Sequence, residues 1–346
     1  PSTLPVAPPG QGLSTEQLLR RRALNALAAS GLTEVLAYPF VSEEDNNLWA
    51  SPVAGETVKS IRLANPIASQ QGWMRRSLLP GLTEVLKRNL SRGFKNLAIY
   101  ETGHVFIPGA QHGSSQIPGL GVRPSDEVLA DLNAGIPDQP RHIAGLFCGL
   151  VHEETPGAVP NPLDWRDALD SATLVADVIG VKLEVAKGEH QAFHPGRTAA
   201  LTLADGTVLG YAGELHPKLL AELDMPERTA AFELNFSALL NGRGGPTIAT
   251  GISGYPATNQ DVALIVDADV PAKAVATALA EGAGELLEDV RVFDDYRGAG
   301  IDEGKKSLAF ALRFRATDRT LTADEASEAR SAGVAVAADR FGAVQR

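Results

Sequence analysis

Three places in the 346-residue chain carry side chains whose type or spacing could do chemistry. Glu189, His190 and His194 have a spacing that, on a helix, would turn two imidazoles to one face as metal ligands. Pro195 and Gly196 follow at once, so no helix is expected, and a third ligand is missing. Both histidines read as turn or surface residues, and no metal site is assigned. Arg75 and Arg76 open a predicted helix, where adjacent arginines read as a solvated face, with contact to an anionic or protein partner as the alternative. Glu101, in "YETGHVFIPG" (100–109), is a lone carboxylate on a predicted strand, expected to satisfy buried neighbours and to do no acid–base work. No catalytic residue is assigned.

The elements that must carry these residues follow from periodicity. Ser14 caps a helix, with Gln17 in the capping-box position and a broad apolar face that includes Leu24 and Leu27; Gly31 ends it. "LTEVLAYPFV" reads as a strand bent or placed at an edge by Pro39. A helix over 78–92, a long strand "NLAIYETGHVF" and a buried strand "HIAGLFCGLV" come next, with a Gly, Pro and Ser-rich surface insertion between Pro108 and Pro140. A helix over 163–180, a hairpin turning at Asp205 and Gly206, a short helix from Pro217 and a strand "AAFELNF" complete the first domain, 14–240. Residues 241–253 read as a linker. From 254 to 346 the order is β-α-β-β-α-β, the ferredoxin-like arrangement. Along 307–315, Leu308, Phe310, Leu312 and Phe314 face one way, while Ser307, Arg313 and Arg315 face the other, leaving a polar surface open to a ligand.

With 44% hydrophobic and 21% charged residues, the composition suits two domains with adequate cores. The single cysteine, Cys148, excludes an intramolecular disulfide framework and points to a reducing, cytoplasmic setting. The apolar run from Ile143 to Val151 is far short of a bilayer span, so no membrane attachment is expected. "PSTLPVAPPGQG" opens without methionine, and residues 1–13 read as a linker from a longer chain. The net charge of −11 argues against a general nucleic-acid binder and against DNA. Residues 254–346 hold 11 Lys and Arg against 16 Asp and Glu, but 297–319 hold six against three, so a basic patch is local.

Two of these stretches resemble class II aminoacyl-tRNA synthetases. "GLTEVLAYPFV" (31–41) is similar to motif 1 of that class, a subunit-interface element; the resemblance places Leu24, Leu27, Gly31 and Pro39 at an interface, with Ser30 where a basic residue is usual. "YETGHVFIPG" resembles the strand that in lysine-type enzymes reads "YEIGRxFRxEG", whose arginine holds the ATP α-phosphate and whose glutamate lies on the adenine side. Here Ile107 replaces that arginine and Gly109 that glutamate. An isoleucine can neither offset charge on the phosphate nor donate to it, and loss of one such contact costs on the order of 3 kcal/mol of transition-state stabilisation. The arginine-ended third motif is absent between 210 and 250, and "GLGVRP" (119–124) only mimics it. "MRRSLLPGLTEVLKRNLSRG" (74–93), "FHPGRTA" (193–199) and "GELHP" (213–217) extend the likeness to the β chain family of phenylalanyl-tRNA synthetase.

The resemblance implies an α+β fold: a class II synthetase-like antiparallel sheet core with helices and no catalytic residues, then a ferredoxin-like anticodon-binding domain. "YPATNQDVALIV", "VFDDYRG", "GKKSLAFALRF" and "DRTLTADEA" carry the second likeness. It implies a partner, the catalytic α chain, in an (αβ)2 heterotetramer, with ATP and Mg2+ used on that partner, no cofactor in this chain, and tRNA(Phe) bound at the anticodon. Asp294, Tyr296, Ser307 and Arg346 stand where the anticodon loop would be held: Asp accepts from a guanine edge and Tyr stacks on a base. Arg313 and Arg315 supply charge beside them. Asp294 and Tyr296 share strand parity with the core candidates Val290 and Val292, so this strand must bulge or end before Asp294. The alternative is a freestanding RNA-binding or scaffolding paralogue that uses the degenerate core as an interface.

Overall fold

The first helix, α1 (Thr15–Ala29), begins with the expected capping box: the Ser14 hydroxyl accepts from the Gln17 amide (3.2 Å), and Gln17 Oε1 accepts from the Ser14 amide (2.9 Å). Its apolar face is spent inside the chain, with Leu19, Ala23 and Leu27 fully enclosed and Leu24 packed against the same cluster. The computed structural model describes residues 10, 12–111, 113–245, 249 and 251–346. The chain divides into one compact unit up to residue 247 and another from 248. Most of the expected linker 1–13 and part of 241–253 lie outside the described residues.

The strand expected over 32–41 is instead two short ones: β1 (Thr33–Glu34) and β2 (Phe40–Val41). Pro39 has no N–H for a ladder, and its carbonyl accepts from the Arg75 amide (2.9 Å), so the chain leaves one sheet and joins another. Then come α2 (Glu43–Trp49), β3 (Trp73–Met74), α3 (Leu79–Leu90), β4 (Leu97–His104) and α4 (Asp126–Ala134). The last helix corrects the reading of 108–140 as plain insertion: Ser125 caps it and Asp126 and Glu127 occupy its first turn. β5 (Arg141–Cys148), α5 (Trp165–Ile179), β6 (Glu184–Lys187), β7 (Phe193–Thr202), β8 (Val208–Leu215), α6 (Pro217–Glu222), β9 (Ala230–Asn235) and α7 (Phe236–Asn241) complete the unit.

Seven strands form one sheet in the order β1-β4-β5-β9-β8-β7-β6, antiparallel except where β1 runs parallel to β4. Helices cover both faces. Along β5, Ile143 and Phe147 enter the cluster beneath α1 and α5, while Ala144, Leu146 and Cys148 enter the one beneath α3. A strand buried on both faces must be apolar throughout, which is why it read as a continuous run. Gly145 leaves room for a ring: a Cβ there would lie 2.4 Å from Cε1 of Phe232.

The second unit contains β10 (Thr258–Asp267), α8 (Ala272–Ala283), β11 (Leu287–Tyr296), β12 (Lys305–Phe314), α9 (Ala323–Phe341) and β13 (Val344–Gln345). The sheet order β11-β12-β10-β13, antiparallel throughout, is that of a ferredoxin-like fold. Leu308, Phe310, Leu312 and Phe314 are all buried, as their alternation requires. Helices α8 and α9 cross backbone to backbone: a Cβ on Gly333 would meet the Leu279 carbonyl oxygen at 2.6 Å, and one on Gly282 would meet that of Ala332 at 2.6 Å.

Two effects compete at that crossing. Gly333→Ala gains about 1 kcal/mol of helix propensity, whereas forcing a methyl against backbone costs about 1–3 kcal/mol. A carbonyl held in its own helix cannot yield as a side-chain tip would, so we expect net destabilisation of the second unit, read as a lowered urea midpoint; an unchanged or raised midpoint would show that the helices separate freely.

Candidate functional site

The strand that carries Glu101 is held by a buried ion pair. Glu101 on β4 has no solvent exposure, and its Oε1 accepts from Arg75 Nη1 at 2.7 Å. Arg75 is itself only 5% exposed, with Nε donating to the His104 carbonyl at 3.0 Å, which corrects the solvated-face reading of "RR". The guanidinium crosses Gly103, where a Cβ would stand 2.1 Å from Nη2. Burial raises the Glu101 carboxyl while the Arg75 charge and hydrogen bond oppose it, and its Oε2 has no partner. Glu101 serves a buried neighbour, as its isolation in the sequence implied.

Beyond β4, Ile107 exchanges backbone hydrogen bonds with Asp138 (2.8 and 3.0 Å) and lines a cavity with its alkyl side chain; Gly109 is exposed. Neither offers a charge or side-chain donor to a phosphate. His194 lies on β7 and His190 in the turn before it, so no helix face brings them together. Their Nδ1 atoms accept from the amides of Gly196 (3.0 Å) and Ala192 (3.1 Å). Burial lowers His190 to about 4, so its ring is neutral at cellular pH.

The interface candidates separate. Leu27 is 0% exposed and has no surface left for a partner, a correction, since its place on the apolar stripe commits it to this chain's own core. Leu24 is half-buried, Gly31 turns the chain at φ +100°, and Pro39 is half-buried behind the Arg75 amide. What the segment exposes is Leu36 (87%) and Tyr38 (83%), with the Tyr38 ring stacked at 6.4 Å from Phe40.

In the second unit, β11 carries two bulges. Leu287 lies opposite Phe314 and Asp289 opposite Arg313, leaving Glu288 extra; Val292 lies opposite Phe310 and Asp294 opposite Ala309, leaving Phe293 extra. The second bulge resolves the parity conflict. Val290 and Val292 register with the core residues Leu312 and Phe310, while Asp294 and Tyr296 register with Ala309 and Ser307 on the opposite face. One row across that face reads Tyr296, Ser307, Ile265, Val344. The Arg346 guanidinium sits 5.5 Å from the Tyr296 ring centroid, and the Arg346 amide donates to the Ala263 carbonyl at 3.0 Å.

The six sequence candidates therefore do not form one uniform surface. Asp294, Tyr296 and Arg346 gather at one end of the helix-free face, and Arg313 lies exposed at the other end, bridging Glu288 at 2.7 Å. Ser307 is on the same face but buried (4%), and Arg315 is tied to Glu288 (3.0 Å) and to the carbonyls of Ser253 (3.1 Å) and Tyr255 (2.9 Å). These correct the open-face reading of both: alternation gives the face but not what lies over it. Sequence reasoning missed Arg291, opposite Ala311 on this face; its alternation with Val290 and Val292 was the available signal.

A family model described as "Phenylalanyl tRNA synthetase beta chain CLM domain" matches residues 1–236, and one described as "Ferredoxin-fold anticodon binding domain" matches 253–346. The chain belongs to the phenylalanyl-tRNA synthetase β chain family. Relatives named phenylalanine–tRNA ligase beta subunit are 53% identical in Leifsonia xyli, 45% in Streptomyces avermitilis and 44% in Thermobifida fusca, each matched over the whole of this chain. The chain spans 41–42% of the length of those relatives. For a phenylalanyl-tRNA synthetase β chain, the two matched domains are thus family features, while the placement of individual side chains is read from the structure.

The ion pair makes its own prediction. Arg75→Met removes the charge that answers Glu101 and should cost about 3–5 kcal/mol at neutral pH, because a buried carboxylate is left alone. The folded-state carboxyl, already raised by burial, rises further in this variant. A raised carboxyl contributes stability that is present below its unfolded value and lost as pH rises through the folded one, so the deficit should shrink between pH 7 and pH 5. Urea midpoints of both proteins at the two pH values test this; a deficit independent of pH would mean that packing, not charge, is what Arg75 supplies.

Proposed function

We propose that this chain is the non-catalytic β-chain portion of phenylalanine–tRNA ligase, supporting a catalytic α chain and binding the tRNA(Phe) anticodon region during ATP-dependent charging. The observation that carries the reading is the bulge in β11, which turns Asp294 and Tyr296 away from the core and onto the helix-free face beside Arg346. There Asp294 accepts from a base edge and Tyr296 offers a ring for stacking. Arg346 and Arg313 add charge for the phosphates. Ile107 and Gly109 fit neither the α-phosphate nor the adenine of ATP, so ATP and Mg2+ belong to the α chain and no cofactor to this one. Leu36 and Tyr38, too exposed to serve this chain, favour a docking edge for the α chain in an (αβ)2 assembly. The described residues include no helix long and apolar enough to cross a membrane, and a cytoplasmic site suits the reading.

Base reading and simple charge give opposite signs. Tyr296→Ala should weaken binding to a tRNA(Phe) anticodon stem-loop by roughly 1–3 kcal/mol. Asp294→Ala removes a negative charge, so electrostatics alone would tighten binding to every RNA, whereas lost base recognition weakens it for the cognate loop only. Fluorescence anisotropy with cognate and first-base-substituted loops separates them, and equal tightening on both would remove Asp294 from base reading.

Assembly and chemistry are tested separately. Leu36→Asp with Tyr38→Asp should leave the chain folded, since both side chains are exposed, and abolish co-elution with the α chain in size-exclusion light scattering. ATP–pyrophosphate exchange should require the α chain; exchange by this chain alone, lost on substituting the 100–109 strand, would refute the degenerate-site reading.

A further inference from the structure

The cavity that Ile107 lines has a volume of about 250 Å3 and lies between the end of α2, the 76–79 segment, β8 and β9. It is below the roughly 300–1,000 Å3 usual for pockets of drug-sized ligands, and suits something nearer the size of an amino acid. One Lys or Arg lines it, Arg76. The Arg76 Nη1 donates to the Lys59 carbonyl, but Nε is buried without an acceptor, and the side chain makes no ion pair among the described residues. Burial pulls this guanidinium below the ordinary arginine value. A cation withdrawn from water without an anion is costly, and the cost falls when a ligand supplies one.

The anion already in the wall is not available. Glu233 Oε1 accepts from His142 Nδ1 (2.6 Å) and the Leu78 amide (3.1 Å), and Oε2 accepts from the Ser77 hydroxyl (2.5 Å). Burial opposes its ionisation, but these donors together hold the carboxyl below its usual value, so its charge is answered within the protein. His190, also in the wall, is neutral and lies edge-on to Phe193 at 5.2 Å. The cavity therefore has one uncompensated positive group and, in Trp49, Leu79, Ile107 and Phe193, an apolar wall. Guanidinium Nε and Nη2 present a side-on fork that matches the two oxygens of a carboxylate.

We propose that this cavity binds a small organic carboxylate of about amino-acid size, its carboxylate on Arg76 and its apolar body against Trp49 and Phe193. The site does not depend on the RNA reading of the second unit.

The chain has three tryptophans, Trp49, Trp73 and Trp165, of which only Trp49 lines the cavity. In protein labelled with 5-fluorotryptophan, 3-phenylpropanoate should shift the Trp49 fluorine resonance saturably, with a Kd of about 1 mM or tighter, while Trp73 and Trp165 stay still. Arg76→Gln should weaken this about tenfold or more, the loss expected for a charged hydrogen bond. Because Arg76 also braces Lys59, a second variant guards against misfolding. Val208, 53% exposed at the rim, can be enlarged to phenylalanine without touching the core, and Val208→Phe should block the shift. A silent Trp49, a shift that survives both substitutions, or an equal shift with inorganic phosphate would each overturn the proposal.

Discussion

The Arg75 guanidinium, almost wholly out of water, is answered by a carboxylate where it lies, and in the first unit that constraint organises three separate stretches of chain around that residue. Its side chain meets Glu101 and the His104 carbonyl on β4, its amide holds the Pro39 carbonyl, and its own carbonyl accepts from the Phe106 amide. The chain at Pro39, the strand β4 and the residues that follow it to Phe106 are therefore tied to one residue. Gly103 is the steric condition for all of it, because any side chain there would occupy the guanidinium's place. A buried pair of this kind adds little net stability compared with well-packed apolar residues. Its effect here is to set position.

What was legible in the sequence was what local periodicity and capping determine. The capping box at Ser14 and Gln17, the uninterrupted apolar run of β5 and the β-α-β-β-α-β order after residue 254 all fold as they read. The alternation along 307–315 identified the four core residues of β12. Three of the misreadings share a cause: each depended on a partner distant in sequence. Arg75 looks like a solvated arginine until Glu101, 26 residues on, is brought beside it, and Arg315 looks free until residues 253 and 255 return under it. Leu27 looks available to another chain because helix periodicity says which face is apolar and not which element covers it. α4 was hidden by the Gly and Pro residues around it, although Ser125 and the acidic residues after it carried the usual start signal.

The architecture of the core and the chemistry of any site on it rest on different residues. The seven-stranded sheet and its two covering clusters need only apolar residues at the right parity, and none of that depends on a residue that could hold a nucleotide. Ile107 keeps its place in the backbone pairing with Asp138 because a bridge between main chains is indifferent to the side chain. Selection on the sheet and selection on the pocket act on different atoms, so one can relax while the other holds.

Phe293 is the extra residue of the second bulge in β11. From Asp289 to Val292 the faces alternate, from Asp294 to Tyr296 they alternate again, and Phe293 joins the two counts. The extra residue is what lets Asp294 and Tyr296 share sequence parity with Val292 and yet face away from it. Were the bulge to slide past Tyr296, with Phe293 taken into the ladder, Asp294 and Tyr296 would turn toward the helices and Asp295 outward, and a chain of unchanged sequence would display a different surface. Where the bulge sits along this strand is information in its own right, apart from the residues the strand carries.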